Sequence, residues 1–311
     1  MEITAQMVKD LREATGAGMM DSKKALVETN GNMEEAIEYL RKKGLASAEK
    51  KAGRIAAEGL VVTLKSDDLK TGVIVEVNSE TDFVAKNEKF RNYVQDVAKQ
   101  VMKSSSKNIE DFLQEKWFLD DSKTVKEELS SQIAIIGENM NIRRFDKIEN
   151  TNGFVFDYIH AGGKIAVLIS INSNVINDDI KLMAKNICMQ IAAMRPEFLD
   201  RSEINKEFEN KEKEIYLEES KNDPKNQNKP ENIINQMVEG RFNKRIKEIC
   251  LLEQEYVISS EDKMSVNQYV SSIAKKNNAD IKINKFIRYE TGEGIEKKNE
   301  DFAMEVAKQI K

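Results

Sequence analysis

Two parts of the sequence repeat one pattern, a strand followed by a helix. One strand-like stretch ends in Val-Asn-Ser at residues 77–79, and another ends in Ile-Asn-Ser at residues 171–173. The helical stretches that follow have apolar positions at the same spacing: Phe90, Tyr93, Val94, Val97 and Val101 in the first copy, and Ile180, Met183, Ala184, Ile187 and Ile191 in the second. A repeat of this kind predicts a core built from two related β–α halves.

The two copies differ in the segment that joins strand to helix. Ten residues separate Ser79 from Phe90 and six separate Ser173 from Ile180, so the first copy is longer by 10 − 6 = 4 residues. The longer connection contains the segment Thr-Asp-Phe-Val at residues 81–84. Because loops often carry function, an extension beyond what the connection requires predicts a functional loop.

The remaining patterns predict both strands and helices. Strands are expected at residues 60–64, 72–77, 141–145, 153–159, 165–171 and 281–289. Helices are expected at residues 90–102, 122–136 and 180–193, with weaker helical patterns at 112–119. With only three prolines in 311 residues, the composition favours helices over a loop-rich architecture. The predicted fold class is therefore α+β.

The first 45 or so residues predict a bundle of three short helices, which is small for an independent domain. Residue types that commonly begin or end helices divide this region: Thr4, Gly16, Asp21, Asn30-Gly31, Asn32 and Gly44. We expect the helices to begin at Thr4, Asp21 and Asn32, and the third to end at Gly44. Residues 46–54, rich in Ala and Lys, are expected to form a tether.

A stretch dense in Lys, Glu and Asn, at about residues 201–250, predicts an antiparallel helical hairpin similar to a coiled coil. Its thin apolar seams are Phe208 and Ile215 before a polar turn that ends at Pro230, and Ile234, Met237, Val238, Phe242 and Ile246 after it. A terminal helix is expected to follow, with Phe302, Val306 and Ile310 on one side.

These patterns predict four parts of the chain. They are a three-helix N-terminal domain with its tether (1–54), a first half of the core (55–148), a second half (149–290) with the hairpin inserted at about 201–250, and a C-terminal helix (291–311). The chain has no charged-then-apolar leader and no apolar run near 18 residues, which predicts a soluble cytoplasmic protein.

The glycine-rich segments do not match known nucleotide-binding motifs. Gly16-x-Gly18 and Gly292-x-Gly294 each lack the third glycine of a dinucleotide-binding fingerprint. The segment Gly-Gly-Lys at residues 162–164 lacks the Ser or Thr and the upstream glycine spacing of a phosphate-binding loop. We therefore expect no bound cofactor.

The side chains that most often carry catalysis or bind metals are also few. His160 is the single histidine, and its position at a strand end favours a residue of a turn over a catalytic group. Cys188 and Cys250 lie in apolar helical patterns and are expected to be reduced, buried thiols. We expect a protein that is not an enzyme, with no catalytic residues, no metal and no small-molecule substrate.

Apolar residues in polar surroundings are the better candidates for function. Met19 and Met20 follow the first glycine turn, and adjacent side chains at the start of a helix point about 100° apart. Either both belong to the core of the bundle or at least one projects. Phe83 either folds back over its own sheet or projects as an anchor for a pocket on another protein.

Five segments spread along almost the whole chain carry distinctive sequences: LREATGAGMMDSKKAL (11–26), EVNSETDFVAKN (76–87), IGENMNIRR (136–144), MVEGR (237–241) and FIRYETGEGIEK (286–297). In this order they resemble the segments of the bacterial translation elongation factor Ts family. The resemblance implies a guanine nucleotide exchange factor that binds the GDP form of the GTPase elongation factor Tu. It also implies that the N-terminal bundle is similar to ubiquitin-associated domains.

The same resemblance implies which residues bind the partner. The bundle would hold the nucleotide domain of the GTPase, the extended loop would enter near its Mg²⁺ site, and the second half of the core would face another domain. The implied residues are, in that order, Arg12, Met19 and Met20; Thr81, Asp82, Phe83 and Val84; and His160. No direct contact with nucleic acid or membrane is implied.

Two other functions remain open on the sequence. A three-helix bundle, a mixed core and a hairpin are also compatible with a polypeptide-binding scaffold or chaperone without exchange activity. RNA binding through residues 50–54 or Arg143-Arg144 is the less favoured alternative, because these basic residues lack interleaved aromatic residues and the net charge is −5.

Overall fold

The structure is a computed structural model that describes residues 3–258 and 263–296. Its helices are α1 (Ala5–Thr15), α2 (Met19–Glu28), α3 (Met33–Lys51), α4 (Asp82–Lys86), α5 (Glu88–Lys103), α6 (Ile109–Gln114), α7 (Val125–Ile136), α8 (Asp178–Met194), α9 (Lys206–Asn222), α10 (Glu231–Ile249) and α11 (Val266–Lys276). Its strands are β1 (Glu58–Lys65), β2 (Thr71–Ser79), β3 (Lys116–Trp117), β4 (Asp120–Thr124), β5 (Met140–Glu149), β6 (Gly153–His160), β7 (Ile165–Ser173) and β8 (Ile281–Glu290). The predicted α+β class is confirmed.

The predicted repeat is visible in two antiparallel sheets with the strand orders β1-β2-β5 and β6-β7-β8. Gly59 pairs with Asn78 in the first sheet, and Gly153 pairs with Asn172 in the second, at an offset of 153 − 59 = 94 residues. A register shift follows Glu76 in one sheet and Ser170, 94 residues later, in the other. The two sheets therefore share their register as well as their strand order.

The sheets pack against each other, and helices cover their outer faces. On β2, Val73, Val75 and Val77 pack with α5 and its neighbours, whereas Ile74 faces the second sheet. On β7, Leu168 faces the first sheet, while the alternate residues pack with α8. Because successive side chains of a strand point to opposite faces, the central strands are buried on both sides and read as continuous apolar runs.

The three N-terminal helices are confirmed, but two of their predicted boundaries are wrong. Helix α2 is capped by Gly18, not Asp21, which lies inside its first turn. Helix α3 continues through Gly44 to Lys51, so most of the predicted tether is helical. Gly44 lies inside α3 and packs against α7. A Cβ on Gly44 would lie 3.6 Å from the carbonyl oxygen of Ser130 in α7. Contact with another helix thus stabilises the extra turns.

Two parts of the core differ from the prediction. The helical pattern at 112–119 ends at Gln114, and Lys116–Trp117 instead pairs with β4. The buried Trp117 packs near Tyr93, and this tertiary contact outweighs local helical preference. Helix α11 was not predicted, although Ser265 and Gln268 form a capping box at its start.

The helical hairpin is confirmed as α9 and α10, joined by a polar turn. Phe208 packs with Phe242 and Ile246 as expected, but Ile215 is exposed and Tyr216 takes its place in the seam. The predicted terminal helix lies mostly beyond residue 296, outside the described residues. The predicted division into domains stays a prediction.

Candidate functional site

The four extra residues of the first repeat form part of α4, a helix with no counterpart between β7 and α8. Thr81 caps its N-terminus, and the side chains of Val84 and Ala85 enter the core of the first half. A helix of five residues is not stable in isolation, so these buried side chains hold it to the sheet. Phe83 points the other way and is 78% exposed, so the alternative in which its ring folds back over the sheet is wrong.

Charged side chains surround the exposed ring. Lys86 Nζ donates to Asp82 Oδ2 at 2.7 Å and lies 5.7 Å from the centroid of the Phe83 ring. The hydrogen bond from Lys86 lowers the pKa of Asp82, and the positive charge of Lys164 adds to the effect. Asp82 is thus held as a carboxylate next to an aromatic ring that faces solvent.

Arg91 lies between α4 and the turn that connects β6 to β7. Arg91 Nε donates to the carbonyl oxygen of Ala85 at 3.2 Å. Its Nη2 lies 3.9 Å from the position that a Cβ would take on Gly162, in the turn. His160 ends β6 two residues before that glycine, is exposed, and has Nδ1 2.9 Å from the hydroxyl of Tyr158. Sequence reasoning missed Arg91, which carries no motif.

Arg12, Met19 and Met20 lie on the surface of the bundle. Met19 is 62% and Met20 77% exposed, so the alternative in which both belong to the bundle core is wrong. Arg12 and Met19 line one groove together with Lys89, which lies in the first turn of α5 just after α4. Arg12 and Met19 thus lie near the start of α5, the helix that follows α4 directly in the sequence.

The bundle is held in this place by contacts between α3 and α7. Arg41 forms an ion pair with Glu127, and this hydrogen bond raises the pKa of the guanidinium. Gly44 packs against the backbone of Ser130 and the side chain of Ala134. A cavity of about 370 Å³ remains between the bundle and α7.

A buried carboxylate joins three of the distinctive segments. Glu76, fully buried on β2, accepts hydrogen bonds from Arg143 Nη1 at 3.0 Å, Arg144 Nε at 2.5 Å, Asn78 Nδ2 at 2.9 Å and Gly292 N at 2.8 Å. Burial alone would raise the pKa of Glu76, but the hydrogen bonds from Gly292 and Asn78 and the charge of Arg144 outweigh it and lower the pKa. These hydrogen bonds join β2, β5 and the turn after β8.

The same network explains two motifs that suggested other ligands. Arg143 and Arg144 donate to Glu76 and to the turn after β8, so both guanidinium groups have partners within the fold. Gly292 has φ +72°, and a Cβ there would lie 2.1 Å from the carbonyl oxygen of Ala57. Gly292 thus serves a close backbone approach.

Across 3–258 and 263–296, no three His, Cys, Asp or Glu side chains are grouped so that they could hold a metal ion. Within the same ranges no helix has the length and apolar character needed to cross a bilayer. Cys188 and Cys250 are free and buried, as predicted, and burial raises the pKa of the Cys250 thiol to about 11.

Comparison with known proteins agrees with this arrangement. Residues 80–293 match the model of a family described as elongation factor TS. The chain is 49% identical to elongation factor Ts of Clostridium novyi over 308 residues, covering 99% of both chains. It is 49% identical to that of Halothermothrix orenii, over 100% of this chain and 99% of the relative, and 51% identical to that of Clostridium kluyveri, over 99% of both. The chain belongs to the elongation factor Ts family.

Proposed function

We propose that this protein is a guanine nucleotide exchange factor that binds elongation factor Tu in its GDP form and promotes GDP release during translation elongation. The observation that carries the proposal is the exposed ring of Phe83 on a helix whose other side is anchored in the core. A free aromatic side chain on a rigid support is suited to enter a pocket of a partner. Membership of the elongation factor Ts family supports the same function.

The physical mechanism is a competition for the geometry of the phosphate site. GDP is held in such GTPases by backbone amides, a lysine and Mg²⁺, and Mg²⁺ tolerates little departure from octahedral coordination. Burying the Phe83 ring in the partner provides about 1.5–3 kcal/mol. This free energy holds an element of the GTPase away from its resting position, and Mg²⁺ and GDP are then bound less tightly.

The position of each other predicted residue indicates which part of the partner it contacts. Arg12, Met19 and Met20 contact the nucleotide domain from the bundle, and Asp82 acts near the ligands of the metal. Val84 and Thr81 support α4 instead of touching the partner with exposed side chains, because Val84 is buried in the core and Thr81 caps the helix. His160, exposed beside the same surface, contacts a second domain of the partner.

The factor makes and breaks no covalent bond, so we propose that it is not an enzyme. We also propose that it acts in the cytoplasm and binds elongation factor Tu without contacting nucleic acid or membrane. Its effect on the partner is thermodynamically reciprocal: a factor that weakens GDP binding must itself be bound less tightly when GDP is present.

Stopped-flow measurement of labelled GDP leaving elongation factor Tu tests the proposal. The protein should accelerate release, and excess GDP should displace it from the GTPase. A scaffold or chaperone without exchange activity would leave the release rate unchanged and would bind many polypeptides irrespective of GDP. That result would refute the exchange function.

A further inference from the structure

One carboxylate outside α4 accepts hydrogen bonds from the residue that caps this helix. The Thr81 hydroxyl donates to Glu138 Oε1 at 2.6 Å, and the Thr81 N–H donates to Glu138 Oε2 at 3.0 Å. Glu138 lies 57 residues further along the chain, between α7 and β5. Its two oxygens therefore satisfy both donors of one residue, and hydrogen bonds to a charged group are stronger than those between neutral groups.

These bonds also define how Thr81 caps the helix. A hydroxyl has a single hydrogen, and here it is donated to Glu138. The oxygen is then left to accept from the N–H of Val84 in the first turn of α4. The carbonyl oxygen of Thr81 accepts from Ser79 Oγ at 3.1 Å. Every polar group of Thr81 thus has a partner in a fixed direction.

The loops that carry Thr81 and Glu138 are joined a second time, in the reverse sense. Glu80 Oε1 accepts from the N–H of Asn139 at 2.6 Å and from Arg54 Nη1 at 3.3 Å. Each loop therefore supplies a carboxylate to the backbone of the other. This reciprocal arrangement restricts movement of the start of α4 relative to β5.

The position of the Phe83 ring depends on this hold. The ring is 78% exposed, so contacts with the core do little to orient it, and the backbone of α4 must do so. That helix is one turn long and cannot maintain itself without its cap and its buried residues. If the N-terminus of α4 were held less firmly, Val84 would stay buried but the Phe83 ring could point in several directions.

We propose that Glu138 is a positioning residue that orients α4 so that the Phe83 ring is presented to the partner in one direction. This inference rests on the proposed exchange function. Preorganisation matters because an ordered anchor loses less conformational entropy when it enters a pocket. Glu138 acts through Thr81 and need not touch the partner.

A double-mutant cycle tests the proposal. Glu138→Ala should slow the stimulated GDP release about tenfold, the order expected for losing hydrogen bonds to a charged group. Glu138→Gln keeps one acceptor oxygen and should recover to within about threefold of the wild-type rate. In a Phe83→Ala background, Glu138→Ala should slow release by less than about twofold, because both changes remove one interaction. Glu110→Ala, at an exposed glutamate of α6, is the control for the loss of one negative charge.

Hydrogen exchange provides a measurement independent of the partner. The Val84 amide should exchange faster in Glu138→Ala, with the melting temperature close to that of the wild type. Wild-type release rates in Glu138→Ala, or full additivity with Phe83→Ala, would overturn the positioning role. If the wild type itself does not accelerate release, the exchange function fails, and an unchanged Val84 amide would then refute the hold on α4 separately. Should Glu138→Ala not fold, Glu138→Gln must show the smaller effects in both measurements.

Discussion

Glu76 lies near the end of β2 and Phe83 follows in α4, but the two side chains are in opposite environments. The aromatic ring faces solvent, and the carboxylate is fully buried and accepts four hydrogen bonds. Each reverses the usual preference of its residue type. An exposed aromatic side chain points to binding, whereas a buried charge with complete hydrogen bonding maintains a particular backbone arrangement.

Phe83→Ala should keep the fold but slow stimulated GDP release at least tenfold, which corresponds to about 1.4 kcal/mol on the barrier. The melting temperature should stay near the wild-type value because the ring has little buried area to lose. Stopped-flow release of labelled GDP measures the rate. Leu119→Ala, at a residue 62% exposed in the turn between β3 and β4, is the matched control. A wild-type rate in Phe83→Ala would remove the role proposed for the ring.

Glu76→Gln should lower the free energy of unfolding at neutral pH by about 3 kcal/mol, because it leaves two arginines facing a neutral amide. The pKa of Glu76 is lowered in the folded state, so folding favours the ionised carboxylate. Its contribution is complete above the ordinary value of 4.5 and is lost as the pH falls from there through the lower folded-state pKa. Urea denaturation over this pH range should show a shallower loss of stability in the variant. Parallel curves for the two proteins would contradict the expectation.

Among the elements, the turn after β8 and helix α10 show that glycine can have opposite effects on stability. Gly292 has φ +72° and leaves no room for a Cβ beside Ala57, and its N–H donates to Glu76. Gly240 lies inside α10, where a Cβ would meet nothing within 4 Å. Glycine is required in the turn and costs stability in the helix.

Gly292→Ala should therefore lower the free energy of unfolding by about 2 kcal/mol or more, through backbone strain and the lost approach to Ala57. Gly240→Ala should raise it by about 0.5–1 kcal/mol, because alanine loses less conformational freedom in a helix. Chemical denaturation of both variants and of the wild type measures the two changes in the free energy of unfolding. Equal effects of the two substitutions would show that the turn does not need glycine.

For the whole molecule, α7 connects the proposed contact surfaces. Glu127, in its first turn, pairs with Arg41 of the bundle, and the loop after its C-terminus carries Glu138, which holds Thr81. One helix therefore sets the position of Arg12 and Met19 relative to Phe83. Two surfaces in a fixed arrangement can engage one partner with a smaller loss of freedom.

Arg41→Ala should raise the concentration of factor needed for half-maximal exchange by about threefold, the order expected for a half-exposed ion pair. The maximal rate should change less, because α4 keeps its own anchors. Exchange rates measured over a range of factor concentrations separate the two quantities. Lys42→Ala, which removes a more exposed pairing with Glu38, is the control. A lowered maximal rate with unchanged half-saturation would contradict the proposed role of the docked bundle.

The repeat, most helices and strands, and the extension of the first copy could be predicted from the sequence, because these follow from the spacing of apolar residues and from connection lengths along the chain. Local spacing could not distinguish a ring folded over its sheet from one exposed to solvent, since Phe83 takes its direction from the orientation of α4. Nor did it reveal the partners of Glu76 or of Thr81. Glu138 lies 57 residues from Thr81, and Gly292 lies 216 residues from Glu76. Only the packing of distant segments brings such groups within hydrogen-bonding distance, so the residues that support the candidate site could not be identified without the folded structure.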